Sequence, residues 1–158
     1  VRRVSLAHKD RVRDARDSSW LAASPNLDGH LFWGLGGSMA SVLAVDDSVS
    51  LRKLVANTLV SAGHQVVEAN HGAEALNLLK THTFNLIISD INMPVMDGLT
   101  FIKQVRALPA YKFIPILVLT TEMDPAKKKQ AKESGATGWL VKPFDPAQLL
   151  TTIRKVLQ

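Results

Sequence analysis

The chain has 158 residues, 46% of them hydrophobic, a mean hydropathy of +0.06 and no cysteine, which describes one globular domain and excludes disulfides, thiolate metal sites and cysteine nucleophiles. Its net charge of +5 is thinly spread: residues 1–38 carry six Arg/Lys against four Asp, and 39–158 carry thirteen against ten, so the concentrated basic stripe of a nucleic-acid binder is missing. With no apolar run near the roughly 20 residues of a membrane helix and no secretion pattern at the N-terminus, a cytoplasmic protein without nucleic-acid or membrane partners is expected.

The first segment, 1–38, is rich in Arg, Asp and then Gly, and it lacks a sustained apolar period. Its "GGS" runs directly into Met39, which reads as a linker meeting an initiator methionine. Residues 1–38 are therefore expected to be an extension, tag or fusion segment, with the domain proper at 39–158. The rival reading is a peptide whose Leu31-Phe32-Trp33 patch docks on the domain or a partner.

From there apolar runs suited to buried parallel strands alternate with helical periods. A strand over 42–45 ends at Asp46-Asp47 and is followed by Leu51, Leu54, Val55 and Leu59, an i, i+3, i+4, i+8 stripe that closes before Gly63. A second strand over 65–69 precedes the stripe Ala75, Leu76, Leu79. The third, 85–89, runs into Asp90, and Leu99, Ile102 and Val105 form a helical face after Gly98. The fourth strand, 115–120, leads to Asp124-Pro125, a capping carboxylate before a proline at the first helical position. The basic run Lys127, Lys128, Lys129 and Lys132 then reads as a solvated helix face. The fifth strand, 138–141, is followed by the same device at Asp145-Pro146 and by Leu149, Leu150, Ile153, Val156 and Leu157. Five β-α units predict an α/β fold: a doubly wound, five-stranded parallel sheet with helices on both faces.

In such a sheet functional groups gather at the carboxyl ends of the strands. Asp46 and Asp47, Asp90, Thr120 and Lys142 all fall there, at the ends of different strands. Singly, each has an ordinary explanation: a helix cap, a strand end, a surface lysine. Together they form a constellation. Three carboxylates in one site repel one another unless a cation neutralises them, and a hard divalent ion such as Mg2+ suits oxygen ligands while keeping room for a phosphoryl group. Lys142 supplies a point charge and Thr120 a hydroxyl for phosphoryl oxygens. Asp90, an acid at the mouth of a buried strand, is then the candidate nucleophile for an aspartyl phosphate.

The motifs "VDDS", "SDINMPVMDG", "LTTE" and "WLVKPF" occur in that order over 39–158, and the chain resembles the receiver domain of two-component response regulators. Because no output module follows the last helix, it resembles the stand-alone chemotaxis CheY type, a flavodoxin-like fold. The resemblance implies that Asp90 takes its phosphate from a phosphohistidine on a sensor histidine kinase. It implies that Asp47, Asp90 and the backbone carbonyl of Asn92 bind Mg2+ directly, with Asp46 acting through water. It further implies that Thr120 and Lys142 hold the phosphoryl group, that Lys142-Pro143 is cis, and that a monomer signals to a downstream target such as the flagellar motor switch. Trp139 stands where the chemotaxis proteins usually carry Tyr or Phe as the switch aromatic beside Thr120, and its bulk is expected to oppose full inward burial.

Two other classes share part of this pattern. An aspartate-dependent phosphatase or phosphotransferase commonly places a second Asp two positions after its nucleophile; here that position is Asn92, which cannot transfer a proton. The chain is therefore expected to be no enzyme beyond its own phosphorylation and dephosphorylation. The other class is an engineered binding or assembly protein that uses the receiver as scaffold for residues 1–38.

Overall fold

The structure is a computed structural model that describes residues 13, 14 and 39–158. The Leu31-Phe32-Trp33 patch lies outside the described residues. A two-residue strand β1 (Arg13–Asp14) comes first, followed by β2 (Ser41–Val45), α1 (Val49–Ser61), β3 (Gln65–Ala69), α2 (Gly72–Thr81), β4 (Leu86–Ser89), α3 (Gly98–Ala107), β5 (Ile116–Thr120), α4 (Pro125–Ser134), β6 (Gly138–Val141) and α5 (Pro146–Leu157). The sheet order is β1-β6-β5-β4-β2-β3 and every pairing is parallel. All five expected strands are present within a residue of their expected limits. The sequence reading had no counterpart for β1, which pairs with Gly138–Trp139 at the edge of the sheet.

Period-two alternation sorts the strand side chains into two cores. Leu43, Val45, Ile87, Ile116, Val118 and Trp139 face one side, where they meet α2, α3 and α4 through Ala75, Leu79, Phe101, Ile102, Val105 and Ala131. Val42, Ala44, Leu86, Ile88, Leu117, Leu119 and Leu140 face the other, against Val55 and Leu59 of α1 and Leu149 and Ile153 of α5. The central strands β4 and β5 are buried along their whole length. Their continuous apolar composition follows from being covered on both faces.

The helix starts are set by side-chain acceptors. Asp124 accepts from the Ala126 N–H and Asp145 from the Ala147 N–H, each ahead of a proline, as the sequence indicated. Asp97 caps α3 by accepting from Thr100, and His71 caps α2 through its ring nitrogen. At α1 the cap is Ser48, which accepts from Leu51; this leaves both neighbouring aspartates available for other work.

The α1 stripe needs correction. Leu54 is 43% exposed, whereas Arg52 is 8% exposed and lies on the buried face with Val55, Ala56 and Leu59. The apolar pattern could not reveal this, because a buried arginine needs specific acceptors that only the folded chain brings to it. The two leucines should therefore respond oppositely to truncation. Leu59→Ala should cost about 2–5 kcal/mol of unfolding free energy, and Leu54→Ala should stay within about 0.5 kcal/mol of the parent, both read by urea denaturation.

Candidate functional site

Backbone register brings the polar strand ends together. The Asp46 N–H donates to the Ala69 carbonyl at 3.2 Å, the Asp90 N–H to the Val45 carbonyl at 3.0 Å and the Lys142 N–H to the Thr120 carbonyl at 2.8 Å. Each bond continues a parallel ladder by one step beyond its strand. Asp46, Asp90 and Lys142 are thereby the first residues past β2, β4 and β6, side by side on one rim. Thr120 is the last residue of β5 between the latter two.

The side chains then converge. Lys142 Nζ donates to Asp46 Oδ2 at 2.5 Å and to Asp90 Oδ2 at 3.0 Å, and all three side chains are at most 10% exposed. Asp46 Oδ1 accepts from the Ser48 N–H at 2.9 Å, and Asp90 Oδ1 from the Ile91 N–H at 2.6 Å. Asp47 is exposed, yet one carboxylate oxygen from each of Asp46, Asp47 and Asp90 lies within 4.8 Å of the others. Three hard oxygen donors close to one another, two of them sharing a single ammonium group, carry a net negative charge, and that donor set fits a small divalent cation. Burial pushes the Asp46 carboxyl above its ordinary range, an effect that the Lys142 and Ser48 hydrogen bonds only partly offset.

Of the remaining expected residues, Asn92 is exposed and follows the acid by two positions, with its N–H 3.4 Å from Asp90 Oδ1. Thr120 is fully buried, and its Oγ1 accepts from the Glu122 N–H at 3.2 Å. Trp139 is 1% exposed and packs in the core that also holds Ala131 and Ala136. The expectation that its bulk would resist inward burial is overturned: those two small side chains share the core with the indole. Its Nε1 is the one buried side-chain polar atom without a hydrogen-bond partner among the described residues. The Lys142-Pro143 bond is cis.

Three features escaped the sequence reading. A Cβ on Gly98 would sit 2.1 Å from the Asp90 carbonyl oxygen, so only glycine lets α3 begin this close to the acid. The Gly98 N–H donates to the Ile91 carbonyl at 2.7 Å and closes the loop between them. Within that loop Val95, a β-branched residue 80% exposed, has φ of 68°, a strained backbone of the sort found at functional loops. The third is Arg52, whose Nη1 donates to the carbonyl of Asp46 at 2.7 Å.

Residues 42–154 match the model of the response regulator receiver domain. A chemotaxis protein CheY homolog of Campylobacter jejuni is 42% identical over 118 residues, covering 73% of this chain and 91% of its own length. Chemotaxis protein CheY1 of Helicobacter pylori is 41% identical over 118 residues, with 73% and 95% covered. Among solved structures, chemotaxis protein CheY4 of Vibrio cholerae is 55% identical with a TM-score of 0.73, covering 75% of this chain and 99% of that one.

The raised Asp46 carboxyl has a consequence for stability. A group that binds its proton more tightly when folded than when unfolded makes stability fall as pH rises from its ordinary value of 3.8 through the raised one. In metal-free buffer with a chelator, Asp46→Asn should therefore raise Tm at pH 7, and the gain should shrink as the pH is lowered toward 3.8. Thermal melts of the two proteins across that range check it.

Proposed function

This chain belongs to the response regulator receiver family and is homologous to the CheY chemotaxis regulators, and from that premise we propose that Asp90 is its phosphoacceptor, served by Lys142, Thr120 and Mg2+. The observation that carries the reading is the single buried ammonium of Lys142 shared by two carboxylates from different strands, with a third carboxylate beside them. Asp47, Asp90 and the Asn92 carbonyl would hold the ion directly, and Asp46 would hold it through water. When bound, the ion supplies positive charge opposite the phosphoryl oxygens, as in other phosphoryl transfers.

The remaining work falls to the side chains. An oxygen of Asp90 forms a bond to the phosphorus of a phosphohistidine on a sensor histidine kinase, the P–N bond breaks, and the imidazole leaves with the bonding electrons. Lys142, already 3.0 Å from Asp90, keeps its donors on the same corner and accompanies the transferred group. Thr120 turns its hydroxyl from the Glu122 N–H toward a phosphoryl oxygen. Asn92 has no proton to exchange as an acid or base, so the chemistry is confined to the chain's own phosphorylation and its hydrolysis. A monomer acting in the cytoplasm would pass the signal to a downstream target, with the flagellar motor switch the leading candidate.

Thr120 links chemistry to surface, since it ends β5 beside Val141 of β6, and Trp139 lies on that same strand. The exposed lysines of α4, with β6 and α5, make the face through which a target would sense the phosphorylated state.

Two experiments test the reading. Acetyl phosphate with Mg2+ should add about one phosphoryl mass to the parent protein by intact mass spectrometry, whereas Asp90→Asn should remain unmodified and folded. A variant that still gains the group would displace Asp90 as acceptor. Separately, beryllofluoride should shift amide resonances at 126–134 and at Trp139 as well as at the acid site. Shifts confined to the acid site would mean that the chain does not transmit the signal to that face.

A further inference from the structure

We infer that Arg52 is a positioning residue for the metal site: oriented by Glu68, its guanidinium clamps the Asp46 carbonyl and so fixes the peptide from which Asp47 presents its carboxylate. This inference rests on the proposed Mg2+ site and assigns a role to residues outside it.

Arg52 occupies the buried face of α1 among Val55, Ala56 and Leu59, at 8% exposure. An arginine is kept there only by its partners. Its Nη1 donates to the Asp46 carbonyl at 2.7 Å and its Nε to Glu68 Oε1 at 3.1 Å. The other Glu68 oxygen accepts from Lys53 at 2.7 Å. The planar guanidinium thus spans from β3 to the turn after β2, with donors in two fixed directions. It also lines a small pocket together with Asp46 and Asp90.

The Asp46 carbonyl belongs to the peptide bond that joins Asp46 to Asp47. Because that unit is planar, holding its oxygen also holds the N–H and Cα of Asp47. The Asp46 N–H is already tied to Ala69, so Arg52 closes the second side of the turn. Asp47 needs such support: it is exposed, and among the described residues no hydrogen bond to its side chain orients it. Glu68 has a second effect. Its carboxylate opposes the guanidinium charge, which would otherwise repel a cation in the nearby site.

Positioning and plain electrostatics predict opposite signs. If Arg52 acted mainly as a charge, its removal would tighten Mg2+ binding. If it positions Asp47, removal weakens binding, and indirect supports of ligands of this kind are typically worth about tenfold or more in metal affinity. A structural stitch between α1 and β3 would change stability alone. Arg106 provides the comparison, since its guanidinium holds the carbonyls of Tyr111, Lys112 and Gly135, remote from the acid cluster.

The test is isothermal titration of Mg2+ alone into the full 158-residue chain and its Arg52→Gln, Arg52→Lys and Arg106→Gln variants, with Tm measured on each. The expected result is a dissociation constant raised about tenfold in Arg52→Gln, a smaller rise in Arg52→Lys, and none in Arg106→Gln even where its Tm falls as far. The acetyl phosphate reaction of Arg52→Gln should recover to within about twofold of the parent at saturating Mg2+, because the defect lies in loading the site. Should Arg52→Gln fail to fold, Arg52→Lys decides, since it retains the stem and the charge but offers no planar fork. Unchanged or tighter Mg2+ binding in the folded Arg52 variants overturns the inference while leaving the metal site standing. A parent chain that binds no Mg2+ overturns the site and the inference together.

Discussion

The contact on which the rest of the site depends is the buried ammonium of Lys142 between Asp46 and Asp90. Each of these ions is costly to desolvate, and pairing offsets that cost only when geometry is tightly held. The geometry is held by three separate strands, so the ion pair joins β2, β4 and β6 across the intervening β5. Two carboxylates on one lysine leave negative charge unbalanced, and the third, Asp47, adds to it. The cluster is therefore built short of one cation, which makes it a weak device for stability and a suitable one for receiving a metal and a phosphoryl group.

Placing such a cluster requires a backbone that does not yield. The parallel ladder continues one bond past β2, β4 and β6, so register alone decides which residues reach the rim. A one-residue slip would send each acid to the other face of the sheet. Register is in turn secured by the two apolar cores, since every strand residue from Leu86 to Ser89 and from Ile116 to Thr120 is buried. Packing of hydrocarbon on both faces thus sets the coordinates of charge at the edge.

Strand β6 carries both a site residue and a large buried aromatic. Lys142 stands one residue past its end, and Trp139 stands two before its last residue with its indole inside the core. The indole N–H has no partner among the described residues, a deficit of the order of a lost hydrogen bond. The register sets Trp139 against Val118 and Thr120 against Val141, so the buried indole lies one step along the sheet from the strand ends that carry the site.

The alternation of five apolar strands with five helices, the proline-preceded caps at Asp124 and Asp145, and the coincidence of Asp46, Asp47, Asp90, Thr120 and Lys142 at strand ends were all legible in the order of the amino acids. All of these depend on local spacing, and spacing is written in the chain. The folded chain was needed to show that Arg52 rather than Leu54 faces inward, that Ser48 takes the cap and frees the aspartates, that Gly98 must pass close to the Asp90 carbonyl, and that Trp139 is buried in the core that also holds Ala131 and Ala136. Arg52 depends on a glutamate from β3, Gly98 on a carbonyl before its loop and Trp139 on the core that receives its ring, groups separated in sequence that meet in space, whereas the Ser48 cap is a local contact beside acids that the fold engages elsewhere. Hydrophobic periodicity carries no record of such meetings, because the energy that selects them exists only once both partners are in place.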